Sequence, residues 1–275
     1  MPKPSTQEGY SRKQIEVVKS TCLYVATKLG DLLDDVVIVG GLVPSLLIEP
    51  DSLPEGEAPH VGTLDLDVGL TIALLQEERY KKLTERLRAA GFEPDVSDKG
   101  NPTRQRWQIL NGKATVDFLI APSLETDKGG RIRNIEPDFA AVIVPGLDLA
   151  FEDRRQIDLS GVSIMGERAS RQIWVCEGGA FVVLKALAFR MRGENKDAYD
   201  LYYVLRNHPD GREGIAARLR PMLADSEDAK RAVQFLREDF SDVDGVGPIR
   251  TAAFLTGGPD DDIQADVVGF VGELL

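Results

Sequence analysis

The sequence predicts a mixed α/β (α+β) protein in which a strand-rich first part is followed by a helical C-terminal part. Short β-like runs separated by turn residues dominate up to about residue 175. Two of these runs are joined by Asn111-Gly112, a strong hairpin signal. From Glu177 onward, apolar residues recur at helical spacing. We therefore expect two domains, a sheet-containing domain over 1–175 and a helical domain over 176–275.

Composition and charge restrict the class of protein. Of the 275 residues, 43% are hydrophobic and 28% are charged, which is ordinary for a globular chain. The net charge of −12 is unfavourable for non-specific nucleic-acid binding, so any such contact needs a local basic patch. Cys22 and Cys176 are the two cysteines, which indicates two free thiols rather than a disulfide framework. No run is apolar enough for a bilayer span, and we expect a cytoplasmic protein without membrane contact.

A glycine pair follows the first predicted strand. Helical spacing predicts a helix over 11–29, and Val36–Val39 is a short buried strand. The strand ends in Gly40-Gly41, and 42–48 is expected to form a short helix. Such a pair before a helix start can present backbone amides to a phosphate. The alternative is a tight turn that needs glycine for steric reasons.

Residues 62–70 carry two acids in a strand-like pattern. As a strand, this stretch turns Asp65 and Asp67 to one face and three apolar side chains to the other. The two carboxylates repel each other unless a cation or a proton compensates, which suggests a divalent metal site. The alternative is a solvated edge strand whose acids discourage aggregation.

A third acid follows on the predicted hairpin, whose strands are 103–110 and 114–120. Asp117 lies mid-strand among apolar neighbours, where an unpaired carboxylate is costly. A metal shared with Asp65 and Asp67 would supply its partner. On the first hairpin strand, Arg104 and Arg106 share a face and either meet phosphates or pair with an acid across the strands.

The remaining elements are read from periodicity and turn residues. A loop is expected over 49–60, and an amphipathic helix over 76–90. Strand-like pieces are 147–151, 156–159, 162–165 and 172–175. Helices are predicted over 177–192, 195–206, 212–223, 226–240 and 262–275, with loops at 241–248 and 257–261.

Two groups of residues resemble the motifs of a known superfamily. Gly40-Gly41, Asp65-x-Asp67 and Asp117, in this order, resemble the nucleotidyltransferase (polymerase β-like) superfamily. Lys185-Ala-Leu-Ala-Phe-Arg190 followed by Lys196-Asp197-Ala-Tyr-Asp200 resembles the last two motifs of the AbiEii-type nucleotidyltransferase toxins of type IV-like toxin–antitoxin systems. The resemblance implies a nucleotidyltransferase-fold mixed sheet of about five strands flanked by helices, followed by a helical C-terminal lobe.

The resemblance also implies an activity. It is the magnesium- or manganese-dependent transfer of a nucleotide from a nucleoside triphosphate to the 3′ end of tRNA or to a protein hydroxyl, with a cognate antitoxin as a further partner. Implied metal ligands are Asp65, Asp67 and Asp117. Implied catalytic or nucleotide-binding residues are Gly40, Gly41, Thr63, Lys185, Arg190, Lys196, Asp197 and Asp200.

Alternatives remain for one residue and for the function. Lys185 interrupts an apolar helix and therefore needs an anion. An ion pair with Asp197 or Asp200 would serve as well as the phosphate contact that the resemblance implies. A small-molecule (aminoglycoside-type) nucleotidyltransferase and a catalytically inactive binding module of the same fold are the competing functions, and the acidic surface would suit cationic substrates.

Overall fold

The computed structural model describes residues 3–71, 79–97 and 100–275, and it confirms the mixed α/β class. The chain divides into two compact units. The sheet unit consists of Arg12–Leu42 and Thr63–Cys176, and the helical unit of Met1–Ser11, Val43–Gly62 and Glu177–Leu275. The chain thus leaves the sheet unit after Leu42 and returns to it at Thr63, two residues before Asp65.

Ten α-helices and nine strands are found in the described residues. The strands are β1 Val36–Val39, β2 Leu66–Leu70, β3 Glu93–Val96, β4 Pro102–Ile109, β5 Ala114–Ile120, β6 Ile132–Glu136, β7 Phe139–Ile143, β8 Arg154–Val162 and β9 Arg168–Cys176. The helices are α1 Arg12–Leu29, α2 Val43–Leu47, α3 Arg79–Ala89, α4 Leu149–Glu152, α5 Gly178–Arg192, α6 Asn195–Asn207, α7 Gly211–Asp225, α8 Glu227–Phe240, α9 Val246–Thr256 and α10 Asp261–Gly272.

One mixed sheet organises the sheet unit. Its main path runs β3-β4-β5-β2-β1-β9-β8. Strand β2 is antiparallel to β1 and parallel to β5, so these three strands form the centre of the path. Along one edge of β5, β4 pairs with the first residues and β7 with the last two. The sheet exceeds the five or so strands that the resemblance implies, because the hairpins β6–β7 and β8–β9 add to it.

Helix α1 covers this sheet with an apolar face. Ile15, Val18, Cys22, Val25 and Leu29 are all buried, as their helical spacing predicts. The helix contacts β8 and β9 as well as the central strands β2 and β5. Both cysteines are free and buried, and burial raises the pKa of the Cys22 thiol to about 12. The sequence prediction of two free thiols is therefore confirmed.

The hairpin prediction is confirmed in its strands and in its turn. Strands β4 and β5 pair antiparallel, and the connection places Leu110, Asn111 and Gly112 at positive φ. Along β5, burial alternates between residues such as Phe118 in the core and Asp117 on the half-buried face. The period of two therefore assigns the face of the third acid correctly.

Four element predictions need correction or lie partly outside the described residues. The predicted strand 162–165 is wrong, because β8 ends at Val162 and β9 begins at Arg168, so 163–165 lie in the connection between them. The predicted strand 147–151 is wrong, because Leu149–Glu152 forms the short helix α4 with Leu149 and Ala150 buried. A short apolar run does not distinguish a strand from a helix turn. Helix α9 begins at Val246, inside the predicted loop 241–248. The predicted start of α3 at residue 76 lies outside the described residues, and the described helix begins at Arg79.

The helical unit packs α5 against α6 and α8, and α6 against α9. Aromatic contacts mark these interfaces, with Phe189 against Phe240 and Tyr199 stacked on Phe254. Helix α5 ends at Gly193, which takes the left-handed conformation at φ 64° that favours glycine. Across the residues that the structure describes, no helix combines the length and the apolar character needed to cross a membrane.

Candidate functional site

Three aspartates meet on one face of the sheet unit. Asp67 of β2 and Asp117 of β5 are direct neighbours in the parallel register of the two strands. Asp65 lies just before β2 and is almost fully buried. We call Asp65, Asp67, Asp117 and the arginine that joins them, Arg106, the aspartate cluster.

Arg106 supplies positive charge to this cluster. Its Nε donates to Asp117 Oδ1 at 2.7 Å, and its Nη2 donates to Asp117 Oδ2 and, at 2.9 Å, to Asp65 Oδ2. The hydrogen bond with Asp117 raises the pKa of Arg106 despite partial burial, and the charges of Asp117, Asp65 and Asp67 add to the effect. The cross-strand ion pair considered for Arg106 is therefore present. Arg104 is exposed and reaches Asn134 at 3.4 Å.

Thr63 and Gly40 fix the positions of two of the acids. The Thr63 hydroxyl donates to Asp65 Oδ1 at 3.1 Å. Gly40 has a φ of 73°, and a Cβ added there would lie 2.0 Å from Asp67 Oδ2. The glycine is thus required both by its backbone conformation and by the carboxylate beside it. Gly40 and Gly41 form the turn between β1 and α2, as the sequence predicts.

The donor chemistry of the aspartate cluster fits a hard divalent cation. Carboxylate oxygens are the ligands that magnesium prefers. Both oxygens of Asp117 and both oxygens of Asp65 already accept a hydrogen bond from Arg106 or Thr63. A metal bound here would therefore compete with the Arg106 guanidinium for the same oxygens.

A second group of predicted residues meets inside the helical unit, where α5 packs on α6. Lys185 Nζ donates to Asp197 Oδ1 at 2.9 Å and to Asp200 Oδ2 at 2.6 Å. Lys196 Nζ donates to Asp200 Oδ1 one helical turn away. All four side chains are buried. We call Lys185, Lys196, Asp197 and Asp200 the lysine–aspartate network. It contains the ion pair of Lys185 with Asp197 and Asp200 that was one of the alternatives considered from the sequence.

Charge is balanced within this network. Burial opposes the ionised carboxylates, but Lys185 and its neighbours outweigh it, lowering the pKa of Asp197 to about 2 and that of Asp200 well below its usual value. Burial likewise opposes the Lys185 ammonium, yet Asp197 and Asp200 raise its pKa. Arg192 adds a bidentate contact to Asp197, at 2.6 and 2.7 Å. These shifts favour the charged forms of Lys185, Asp197 and Asp200, whereas burial lowers the pKa of Lys196.

The Arg190 side chain contacts helix α8. Its guanidinium pairs with Glu238 and Asp239 of α8 and lies 4.4 Å from the ring centroid of Phe235. The resemblance groups Arg190 with the nucleotide-binding residues, and in the structure it joins α5 to α8.

His60 is a network partner that the sequence prediction missed. Its Nδ1 accepts the Gly62 N–H at 3.1 Å, so in the neutral ring the proton is on Nε2, which donates to Asp200 Oδ1 at 2.8 Å. The ring stacks on Tyr199 and meets Tyr203 edge-on. Its signal in the sequence is a lone histidine at the end of an acidic loop, five residues before Asp65.

His60 makes stability depend on pH. Burial, followed by the charge of Lys196, lowers its pKa from 6.5 to about 4 although Asp200 acts in the opposite direction. Between these values the unfolded chain binds the proton and the folded chain does not, so stability falls as pH falls from 6.5 to 4. We expect this contribution to reach roughly 3 kcal/mol. In urea unfolding, the free energy of unfolding of His60→Gln should change less between pH 6.5 and 4 than that of the parent. An equally large change in both proteins would exclude His60 as the cause of the pH dependence.

A further acidic group lies at the start of α5. Within the described residues, Glu177, His208 and Asp210 are the one set of three potential ligands whose atoms all lie within 4.8 Å of one another. However, Arg218 lies 3.4 Å from Glu177 Oε2 and 3.3 Å from Asp210 Oδ2. His208 Nδ1 accepts the Asp210 N–H, which places the ring proton on Nε2, 3.3 Å from Glu177 Oε2. Arg218 thus pairs with two of these groups, as Arg106 does with Asp65 and Asp117, and the three aspartates of the aspartate cluster do not lie as close to one another as this set does.

The sequence was compared with protein-family models and with curated proteins. Neither comparison finds a match. The relation of this chain to the nucleotidyltransferases is therefore a resemblance of motifs.

Proposed function

We propose that this protein is a metal-dependent nucleotidyltransferase of the toxin type. It would transfer a nucleotide from a nucleoside triphosphate to an acceptor hydroxyl, with the 3′ end of tRNA as the first acceptor to test and a protein hydroxyl as the second. The observation that carries the proposal is the aspartate cluster, in which Asp67 and Asp117 stand side by side on parallel strands and Asp65 joins them through Arg106.

The proposed reaction is an in-line displacement at the α-phosphorus. The acceptor oxygen forms a new bond to phosphorus while the bond from phosphorus to the β-phosphate oxygen breaks, and pyrophosphate leaves with that electron pair. The acceptor proton passes to a carboxylate, and we assign this role to Asp117. Divalent metal ions, when bound, stabilise the attacking and leaving oxygens.

The chain's own residues would prepare this step. Asp65, Asp67 and Asp117 would hold the metal, and Gly40 and Gly41 would offer backbone amides to the β- and γ-phosphates. Thr63 keeps Asp65 in place through its hydroxyl. Arg106 neutralises the acids and would exchange its contacts with them for the incoming cation. Preorganised charge of this kind is commonly the largest catalytic term.

The resemblance also gives roles to the residues of the lysine–aspartate network. The resemblance implies that Lys185 contacts a phosphate. It implies that Asp197 or Asp200 orients this lysine or binds the nucleotide. Arg190 and Lys196 are implied to contact the nucleotide. Lys185 is held as an ammonium by Asp197 and Asp200, and a phosphate would have to replace one of these carboxylates as its partner. His60 positions Asp200 from the opposite side of its carboxylate.

A labelling experiment tests the proposal. The protein is incubated with each of the four α-labelled nucleoside triphosphates and magnesium, together with total tRNA, an aminoglycoside mixture or a cell lysate treated with ribonuclease. We expect label on tRNA, or on protein in the lysate. Label on the aminoglycoside would overturn the toxin assignment in favour of a small-molecule enzyme. No label on any acceptor would overturn nucleotidyl transfer itself and leave a binding module.

A further inference from the structure

One cleft in the sheet unit is lined by more basic than acidic side chains, although the protein as a whole is acidic. It has a volume of about 520 Å³ and lies between the first half of α1 and the β8–β9 hairpin. The chain as a whole carries a net charge of −12. Three lysines line the cleft, namely Lys13, Lys19 and Lys113, and the lining contains a single acid, Glu16. The local charge is therefore opposite to that of the molecule.

The three lysines of the cleft differ from other cations of the sheet unit in their partners. Elsewhere in the sheet unit, guanidinium groups are matched with aspartates, as Arg79 is with Asp35 and Arg133 with Asp127. In the described parts of the chain, no ion pair involves Lys13, Lys19 or Lys113. Three lysines against one glutamate leave the lining with an excess of positive charge, so an anion bound between the lysines is stabilised.

The rest of the lining indicates which part of an anionic ligand is contacted. The hydroxyl-bearing residues Ser20, Ser160 and Ser163 lie on its wall, and its other side chains are aliphatic. The lining has no aromatic residue on which a nucleobase could stack. The contacts would therefore be made to phosphate groups and would depend little on base sequence.

We infer that this cleft binds the phosphate backbone of an RNA strand, as the docking surface for the acceptor of the reaction. This inference rests on the proposed function for the choice of RNA, whereas the preference for a polyanion follows from the cleft itself. Three ammonium–phosphate contacts imply that the logarithm of affinity falls with the logarithm of salt concentration with a slope of about −2. Non-specific attraction by the remaining surface is weak because that surface is acidic.

The test is fluorescence anisotropy with a labelled tRNA, without nucleotide or metal. Lys13→Gln/Lys19→Gln/Lys113→Gln is compared with Lys81→Gln/Lys82→Gln/Lys128→Gln, a control that removes the same charge from exposed positions of the sheet unit outside the cleft. Circular dichroism checks that both variants fold. We expect the cleft variant to bind about tenfold more weakly and to lose the salt dependence, while the control binds like the parent.

The possible results separate this inference from the proposed function. Equal affinities for the two variants, or no binding by the parent, would overturn the cleft as an RNA surface. Equal competition by poly-glutamate would also overturn the RNA assignment, in favour of an acidic protein partner. Since this measurement needs no catalysis, tRNA binding lost in the cleft variant would stand even if the labelling experiment failed. Conversely, if tRNA is labelled but the cleft variant and the control variant bind tRNA equally well, the transfer reaction would stand and the cleft would not be its docking surface.

Discussion

Asp67→Asn should lower the rate of nucleotide transfer by about 10²–10³, the loss seen when one electrostatic stabiliser is removed from a preorganised site. The substitution keeps the size of the side chain beside Gly40 and removes its charge, so the turn between β1 and α2 should persist. The neighbouring Asp117 stays in register with position 67. The measurement is the initial rate of label incorporation at saturating nucleoside triphosphate and magnesium.

Asp158→Asn is the matched control for this variant. Asp158 is an exposed acid on β8 of the same sheet. Its substitution makes the same change of charge outside the aspartate cluster, and we expect a rate within about twofold of the parent, as for surface changes in general. A folded Asp67→Asn protein with the turnover of the parent would contradict the assignment of the aspartate cluster as the catalytic site.

Lys185→Ala should produce the largest loss of stability among the variants considered. It would leave Asp197 and Asp200 buried with fewer cations, and breaking a buried ion pair from one side costs about 3–5 kcal/mol. We expect about 3 kcal/mol, the lower end of that range, because Arg192 still binds Asp197 and Lys196 still binds Asp200. Urea unfolding at pH 7 measures the difference, and transfer activity should also be lost.

Lys230→Ala provides the comparison within the same unit. Lys230 makes an exposed ion pair with Glu227 at 2.5 Å on α8, and such pairs contribute at most about 1 kcal/mol. If Lys185→Ala cost no more than Lys230→Ala, the lysine–aspartate network would not be a stabilising element of the helical unit. A stable Lys185→Ala protein with full transfer activity would also exclude phosphate contact by this lysine.

Local patterns predicted much of the sheet unit because they are set by short-range geometry. The period of two along β5 correctly placed Asp117 on the face opposite Phe118. Asn111-Gly112 correctly located the hairpin turn, since both residues adopt positive φ there. Helix α4 was missed because its three apolar residues, Leu149, Ala150 and Phe151, are too few to distinguish the two periods.

The partners of the site residues were less predictable because they are distant in the sequence. Arg106 reaches Asp65 across 41 positions, and alternation along β4 gives its face but not its partner. His60 reaches Asp200 across 140 positions and was not recognised as a site residue. The ion pairs of Lys185 were among the alternatives, because a lysine within an apolar helix requires an anion nearby.

Metal binding by the aspartate cluster is the central claim, and a manganese titration followed by electron paramagnetic resonance tests it most directly. In the presence of a non-hydrolysable nucleoside triphosphate, the parent protein and Asp158→Asn should show the same saturable binding of Mn²⁺. Asp67→Asn should bind Mn²⁺ at least about tenfold more weakly, because a carboxylate ligand is replaced by a neutral amide. Equal Mn²⁺ affinity in all three proteins would contradict the account.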